Sequence, residues 1–155
     1  MIELAEYIDE ILTSLHPRLK RTHHDVTVDC DPLIRANTYP GAFYQVVVNL
    51  VINSLVHGFE GIDHGKVQIA VRAAAGQIEL DYRDDGRGME EVVRNRIFEP
   101  FFTTKRGQGG SGLGLHIVYN LVTQMLGGTL ICESTPGAGV RFLVCFPQGD
   151  LPLKS

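Results

Sequence analysis

The feature that most constrains this chain is a run near its middle, residues 43–59, in which nearly every position is apolar and the exceptions fall four apart. Those exceptions are Gln45, Asn49, Asn53 and His57. A spacing of four keeps side chains on one helix face, so the run predicts a helix over residues 42–57, buried on nearly all sides, with one slowly drifting polar stripe. Such a helix needs a second layer to cover it. Its buried amides also need hydrogen bonds from partner groups, ordered water or a polar ligand. Pro40 and Gly41 precede it.

The covering layer is legible further along. Lys66–Ala74 and Gln77–Asp84 read as a β-hairpin joined near Ala75-Gly76, and in its second strand Ile78, Leu80 and Tyr82 alternate with Gln77, Glu79 and Asp81. A second hairpin pairs Thr129–Ser134 with residues 140–146 through Pro136-Gly137-Ala138-Gly139. Leu4, Ile8, Ile11, Leu12 and Leu15 recur at helical spacing and predict an amphipathic helix over residues 2–20, bent or ended near Pro17. Short strands are expected at residues 26–28 and 33–36. Two more helices are expected, over 90–97 and over 113–126, the second stopped by Gly127-Gly128. Together these elements predict one α/β (α+β) two-layer sandwich, a mixed, mostly antiparallel sheet with helices on one face. The domain spans residues 1–148, and a frayed tail begins near residue 148 and takes up 149–155.

Bulk properties exclude several classes. The chain has 155 residues, 44% of them apolar, which suits one domain with a sizeable core. A net charge of −4 argues against non-specific nucleic-acid binding. No apolar run reaches the roughly 18–20 residues needed to span a bilayer, and Glu3, Glu6, Asp9 and Glu10 interrupt any secretory-signal layout. Cys30, Cys132 and Cys145 are odd in number and widely spaced, as expected of reduced thiols in a cytoplasmic protein.

Three further segments carry chemistry. Asp84-Asp85-Gly86-Arg87-Gly88 follows a strand directly; its glycines permit positive φ and close backbone approach, although DG pairs also form plain turns. Gly110-Ser111-Gly112-Leu113-Gly114-Leu115 opens a helix, where free N–H groups and the positive dipole end suit phosphate oxygens. It is not a GxxxxGK(S/T) loop, since no Lys follows its last Gly. Between them lies Phe98-Glu99-Pro100-Phe101-Phe102-Thr103-Thr104-Lys105, whose aromatics alone would read as core.

In this order the segments resemble the four boxes of the GHKL ATPase superfamily, and in particular of bacterial sensor histidine kinases. Asn49–Ser54 resembles the N box, residues 84–88 the G1 box, 98–102 the F box and 110–115 the G2 box, and the closing turn 135–139 also matches. The resemblance implies a Bergerat-type ATP-binding fold with a lid between the F and G2 boxes, and ATP and Mg²⁺ as ligands. By that resemblance Asp84 accepts a hydrogen bond from the adenine amino group, and Gly86 and Gly88 make room for the base. Asn53 binds Mg²⁺ through its side-chain oxygen, with Asn49 beside the phosphates and metal. Gly110, Ser111, Gly112, Leu113, Gly114 and Leu115 form the phosphate-binding segment, and Lys105 in the lid contacts the γ-phosphate. The chain departs from the family at Val56, where many members carry Lys or Arg; His57, Lys105 or Arg106 is left to supply that charge.

The hydrolases of the superfamily, such as DNA gyrase and the HSP90 chaperones, carry a water-activating Glu four residues before the magnesium Asn. That position is Asn49 here, and an amide cannot act as a general base near neutral pH. A kinase needs no such base, because nucleophile and base arrive with the acceptor domain. The resemblance therefore implies a histidine kinase catalytic domain. Its expected partners are an upstream dimerisation and phosphoacceptor domain and, through the phosphohistidine, a response regulator receiver domain. Any membrane segment would lie upstream. His16, His23 and His24 are expected to be surface or structural residues rather than phosphoacceptors. An anti-sigma-factor-type serine kinase or an ATP-binding switch module is the alternative.

Overall fold

The order of strands decides where the helices can go. The computed structural model describes residues 1–100, 102 and 114–150. A two-stranded ribbon pairs β1 (Ile2–Glu3) antiparallel with β3 (Arg35–Ala36). The main sheet holds β2 (Asp25–Cys30), β4 (Lys66–Ala74), β5 (Gln77–Asp84), β6 (Thr129–Ser134) and β7 (Val140–Pro147), in the order β2-β4-β5-β7-β6. Among the described strands only β2 and β4 run parallel; the other pairs are antiparallel. The α+β sandwich expected from the sequence is the fold observed.

One face of the sheet is apolar. Val67, Ile69, Val71, Ile78, Leu80, Tyr82, Phe142, Val144 and Phe146 are all buried there. Against them lie α1 (Leu4–Leu19), α2 (Pro40–Asn53) and α4 (Gly114–Asn120), which contribute Leu4, Ile8, Ile11, Phe43, Val46, Leu50, Leu115 and Val118 to the same core. The opposite face is mixed, with Ile131 and Leu143 beside a charged cluster: Arg141 binds Asp81 across the β5–β7 pair, at 3.1 and 3.0 Å, and also reaches Glu133. Burial of Asp81 works against its charge. The hydrogen bonds from Arg141 and Arg83 prevail and hold its carboxyl down at about 2.

Several local expectations needed correction. Helix α1 runs through Pro17 to Leu19, because Pro17 and Thr13 are both exposed and water can serve the carbonyl that proline leaves without a donor. Pro40 does not merely precede α2 but begins it, a position where its missing N–H costs nothing. The polar stripe is not buried: Gln45 is exposed, and Asn49, Asn53 and His57 are half-buried at the rim of the core. The expected helix over 42–57 also changes pitch, since α2 passes into a π-helical turn, Ser54–Gly58, closed by Phe59 N–H donating to the Ser54 carbonyl. Another π turn, Leu121–Met125, prolongs α4. The helix expected at 90–97 shrinks to α3 (Glu91–Arg94), after which shorter-range bonds tighten the chain and bring Ile97 into the core. Strand β3 covers two residues rather than four. Gln148 is tied down rather than frayed: its N–H donates to Gly76, its carbonyl accepts from Asn37, and its side-chain amide donates to the Arg35 carbonyl at 2.7 Å. No helix among the described residues is long and apolar enough to cross a membrane.

Candidate functional site

At the end of β5 the alternation of inward and outward residues delivers Asp84 to the inner face, where it is buried at 6% exposure. Its Oδ1 accepts from Gly86 N–H at 3.0 Å and from Val140 N–H at 3.2 Å. Its Oδ2 accepts from Ser54 Oγ at 2.6 Å. Burial pushes this carboxyl above the ordinary aspartate range, against the opposing pull of those three donors; Asp85 adds to the rise. Two lone pairs on Oδ1 are thus occupied and one on Oδ2 remains.

The π turn puts two of its residues against that carboxylate. Ser54 is fully buried and also touches Tyr82 Oη at 2.6 Å. Gly58 lies so close that a Cβ there would stand 2.8 Å from Oδ2. Its carbonyl accepts from Arg87 N–H at 2.8 Å, while Arg87 Nε donates to the His57 carbonyl at 3.1 Å and its guanidinium pairs with Glu60. The segment after Asp84 is therefore clamped onto the end of the helix that carries the amides. Asp85 has a separate task, its carboxylate accepting from Lys66 N–H at 2.6 Å.

The glycines of this segment fit against backbone. A side chain at Gly86 would strike the Gly58 carbonyl, and one at Gly88, where φ is +70°, would strike the Thr135 carbonyl. The closing turn 135–139 presses on the same place: Gly137 N–H donates to the Arg87 carbonyl, and Gly139 (φ +73°) leaves no space for a side chain over the Asp84 carbonyl. Ser134 fastens the arrangement, donating to the Gly139 carbonyl and accepting from Met89 N–H.

On the stripe, Gln45 Nε2 donates to Asn49 Oδ1 at 2.7 Å, and Asn49 Nδ2 donates to the Gly114 carbonyl at 3.3 Å. The amides thus meet the first residue of α4. Asn53 directly precedes Ser54, and no described residue hydrogen-bonds its side chain. Phe98 wedges between α4 and β7, with its ring 5.5 Å from Tyr119 and 6.4 Å from Phe142, while its carbonyl contacts His116 Nδ1 at 3.1 Å. Of the residues expected to act, Asn49, Asn53, His57, Asp84, Gly86, Gly88, Gly114 and Leu115 fall on these elements. Lys105, Gly110, Ser111, Gly112 and Leu113 lie outside the described residues. Ser54 and Gly139 stand in the matched segments without a role that the sequence states, and Tyr82 and Gly58, which also border Asp84, are not singled out by the sequence at all. Tyr82 reads as one more apolar position of an alternating strand, and only its hydroxyl hints otherwise.

His23 and His24 have structural partners. His24 Nδ1 accepts from Gly65 N–H at 2.7 Å and its ring lies 4.4 Å from that of Phe59; burial, with His64 nearby, lowers its tendency to protonate. His23 stacks on His64.

Comparison with known proteins decides the family. Residues 38–150 match the model described as histidine kinase-, DNA gyrase B-, and HSP90-like ATPase. The chain belongs to that family. Within it, the chain is a catalytic domain of the histidine kinase type. It is 39% identical over 150 residues to the sensor histidine kinase ZraS of Klebsiella oxytoca, covering 94% of this chain and 31% of that protein. It is 37% identical over 123 residues to the sensor kinase CckA of Brucella abortus, covering 70% of this chain and 13% of that protein. The catalytic domain of histidine kinase ThkA superposes with a TM-score of 0.82 at 26% identity, covering 95% of this chain and 93% of that one. The chain spans less than a third of these two curated relatives.

Proposed function

We propose that this domain holds Mg²⁺-ATP and donates the γ-phosphoryl group to a histidine on a separate dimerisation and phosphoacceptor domain of a two-component sensor kinase. The observation that carries the reading is Asp84: a buried carboxylate with three donors and one lone pair left, facing a glycine that keeps the approach open. An exocyclic amino group such as adenine's satisfies that lone pair, and the carbonyl that guanine offers there does not. Asn53, half-buried and without a described partner, fits a neutral oxygen ligand for Mg²⁺, with phosphates and water making up the rest of the octahedron. The ion would supply charge neutralisation. Asn49 sits one turn earlier and ties the stripe to the start of α4. The segment 110–115, including Gly114 and Leu115, would present N–H groups to the phosphates, with Lys105 or His57 supplying the charge absent at Val56.

Phosphoryl transfer asks mainly for positioning and charge neutralisation, which this site can provide. An amide at Asn49 instead of a carboxylate supports transfer to a protein over transfer to water. The partners on this reading are the dimerisation domain of the same protein and a receiver domain that takes the phosphoryl group from the histidine, all in the cytoplasm.

Calorimetric titration tests the site. Wild-type protein should prefer ATP over GTP by at least about tenfold, since setting two acceptors against each other in a buried site costs roughly 1–3 kcal/mol. Asn53→Ala should lose the Mg²⁺-dependent part of ATP affinity and keep the rest. Asp84→Asn should lose affinity both with Mg²⁺ and in EDTA. Equal dissociation constants for ATP and GTP would remove Asp84 from its role, and an equal loss for Asn53→Ala in Mg²⁺ and EDTA would remove Asn53 from the metal.

A further inference from the structure

We propose that Ser54 and Tyr82 are positioning residues of the nucleotide site, forming a two-hydroxyl chain that holds Asp84 ionised with a single acceptor position open on Oδ2. The inference rests on the reading of Asp84 as the residue that recognises the base. Its basis is proton counting over a group of buried atoms. Ser54 Oγ lies 2.6 Å from Asp84 Oδ2 and 2.6 Å from Tyr82 Oη, and Tyr82 Oη lies 3.0 Å from the Leu50 carbonyl. Each hydroxyl has one proton. When Asp84 is ionised, the Ser54 proton goes to Oδ2. Two oxygens 2.6 Å apart need a proton between them, so the Tyr82 proton then goes to Ser54. The chain runs Tyr82 to Ser54 to Asp84, and each link polarises the next.

A proton on Asp84 reverses the chain. Oδ2 then donates to Ser54, Ser54 to Tyr82, and Tyr82 to the Leu50 carbonyl. Every buried polar atom is satisfied in both directions, in keeping with the absence of unpartnered buried side-chain atoms among the described residues. The two directions differ in what Asp84 offers a ligand, and only the ionised one presents a charged acceptor to an amino group. The hydroxyl chain opposes the effect of burial and keeps the carboxylate charged at working pH. Burial itself holds the Tyr82 hydroxyl far above the usual phenol range, so that residue remains a donor throughout.

Other groups facing Asp84 are few among the described residues. Asp85 follows it on the chain, and Cys132 of β6 lies near enough to sense its charge; burial pushes that thiol up to about 12, so it stays neutral. Strand β7 offers the Val140 N–H, β4 the apolar Val67 opposite, and the π turn Ser54 and Gly58. His57 shares that turn as a further titratable side chain. A readout specific to the Asp84 carboxyl is therefore required.

The experiment combines two measurements on wild type, Ser54→Ala and Tyr82→Phe. The first is the ¹³C shift of the Asp84 carboxyl against pH, without nucleotide. The second is the dissociation constant for ATP from pH 4.5 to 8, with folding checked by circular dichroism. Removing a hydrogen bond to a charged group should raise the carboxyl midpoint by about one unit in Ser54→Ala and weaken ATP binding about tenfold at pH values below both midpoints, with little change well above them. Tyr82→Phe keeps Ser54 and loses only the second link, so its midpoint should rise by about half that. The acid limb of binding should move with the carboxyl midpoint in each variant. An unmoved carboxyl midpoint in both folded variants would overturn the proposal. If the midpoints move but wild type binds no ATP, the hydroxyl chain stands and the nucleotide reading falls. If Ser54→Ala fails to fold, Tyr82→Phe decides alone by the same criterion.

Discussion

Asp81 and Asp84 are three residues apart on one strand and meet opposite fates. Asp84 points inward, where burial raises its carboxyl; Asp81 points outward to two arginines that hold its carboxyl near 2. A folded-state value below the ordinary 3.8 means that ionised Asp81 stabilises the fold above about pH 4, and that this contribution disappears as the pH falls toward 2. Asp81→Asn should therefore cost roughly 1–2 kcal/mol at pH 7 once solvent screening is allowed for. In urea titrations the gap from wild type should close near pH 2; a gap independent of pH would mean that the carboxylate's charge contributes nothing. Asp84 was legible in the sequence because a strand ending in Asp-Asp-Gly-Arg-Gly declares a special turn. Its supporting hydroxyls were not. Whether a tyrosine in an alternating strand meets a serine 28 positions earlier depends on the packing of α2 over the sheet, which periodicity cannot state.

Strong periodicity locates the elements of this fold and says little about the transitions between them. The hairpin strands β4 and β5 fall where alternation places them, and α1 follows its apolar stripe. The π turn after Asn53 is invisible in the sequence, because α and π turns place one short polar stripe almost equally well. The glycines were noticed but their neighbours were not. They separate into those the fold requires and those it tolerates. Gly88→Ala combines a left-handed φ with a collision against the Thr135 backbone, and should lower stability by at least about 2 kcal/mol. Gly41→Ala, in the first turn of α2 with open space around it, should be neutral or stabilising by up to about 1 kcal/mol. Thermal melts of the pair check this; similar losses in both would show that the Thr135 contact does not constrain residue 88.

For the whole molecule, the sandwich was legible because each hairpin and each amphipathic helix needs the other layer to bury its apolar face. A mixed sheet was expected, but not which described strands run parallel: only residues 26–28 of β2 read as strand, and its partner β4 lies beyond α2. The domain has its own core, so it should bind ATP alone yet hydrolyse it negligibly. Mixed with the dimerisation domain of its own parent kinase, it should place acid-labile phosphate there. Phosphohistidine on His16, His23 or His24 of the isolated 155-residue chain would contradict this assignment. The closing turn has a consequence in time as well as in space. Asp84 receives one of its donors from Val140, and the loop after it is pressed by residues 135–139. During synthesis, at about 5–20 residues per second, the helix amides and the aspartate leave the ribosome seconds before the hairpin that completes their surroundings. A nascent or truncated chain lacking β7 has the recognisable motifs without the Val140 donor to Asp84, and should bind ATP only once β7 has docked.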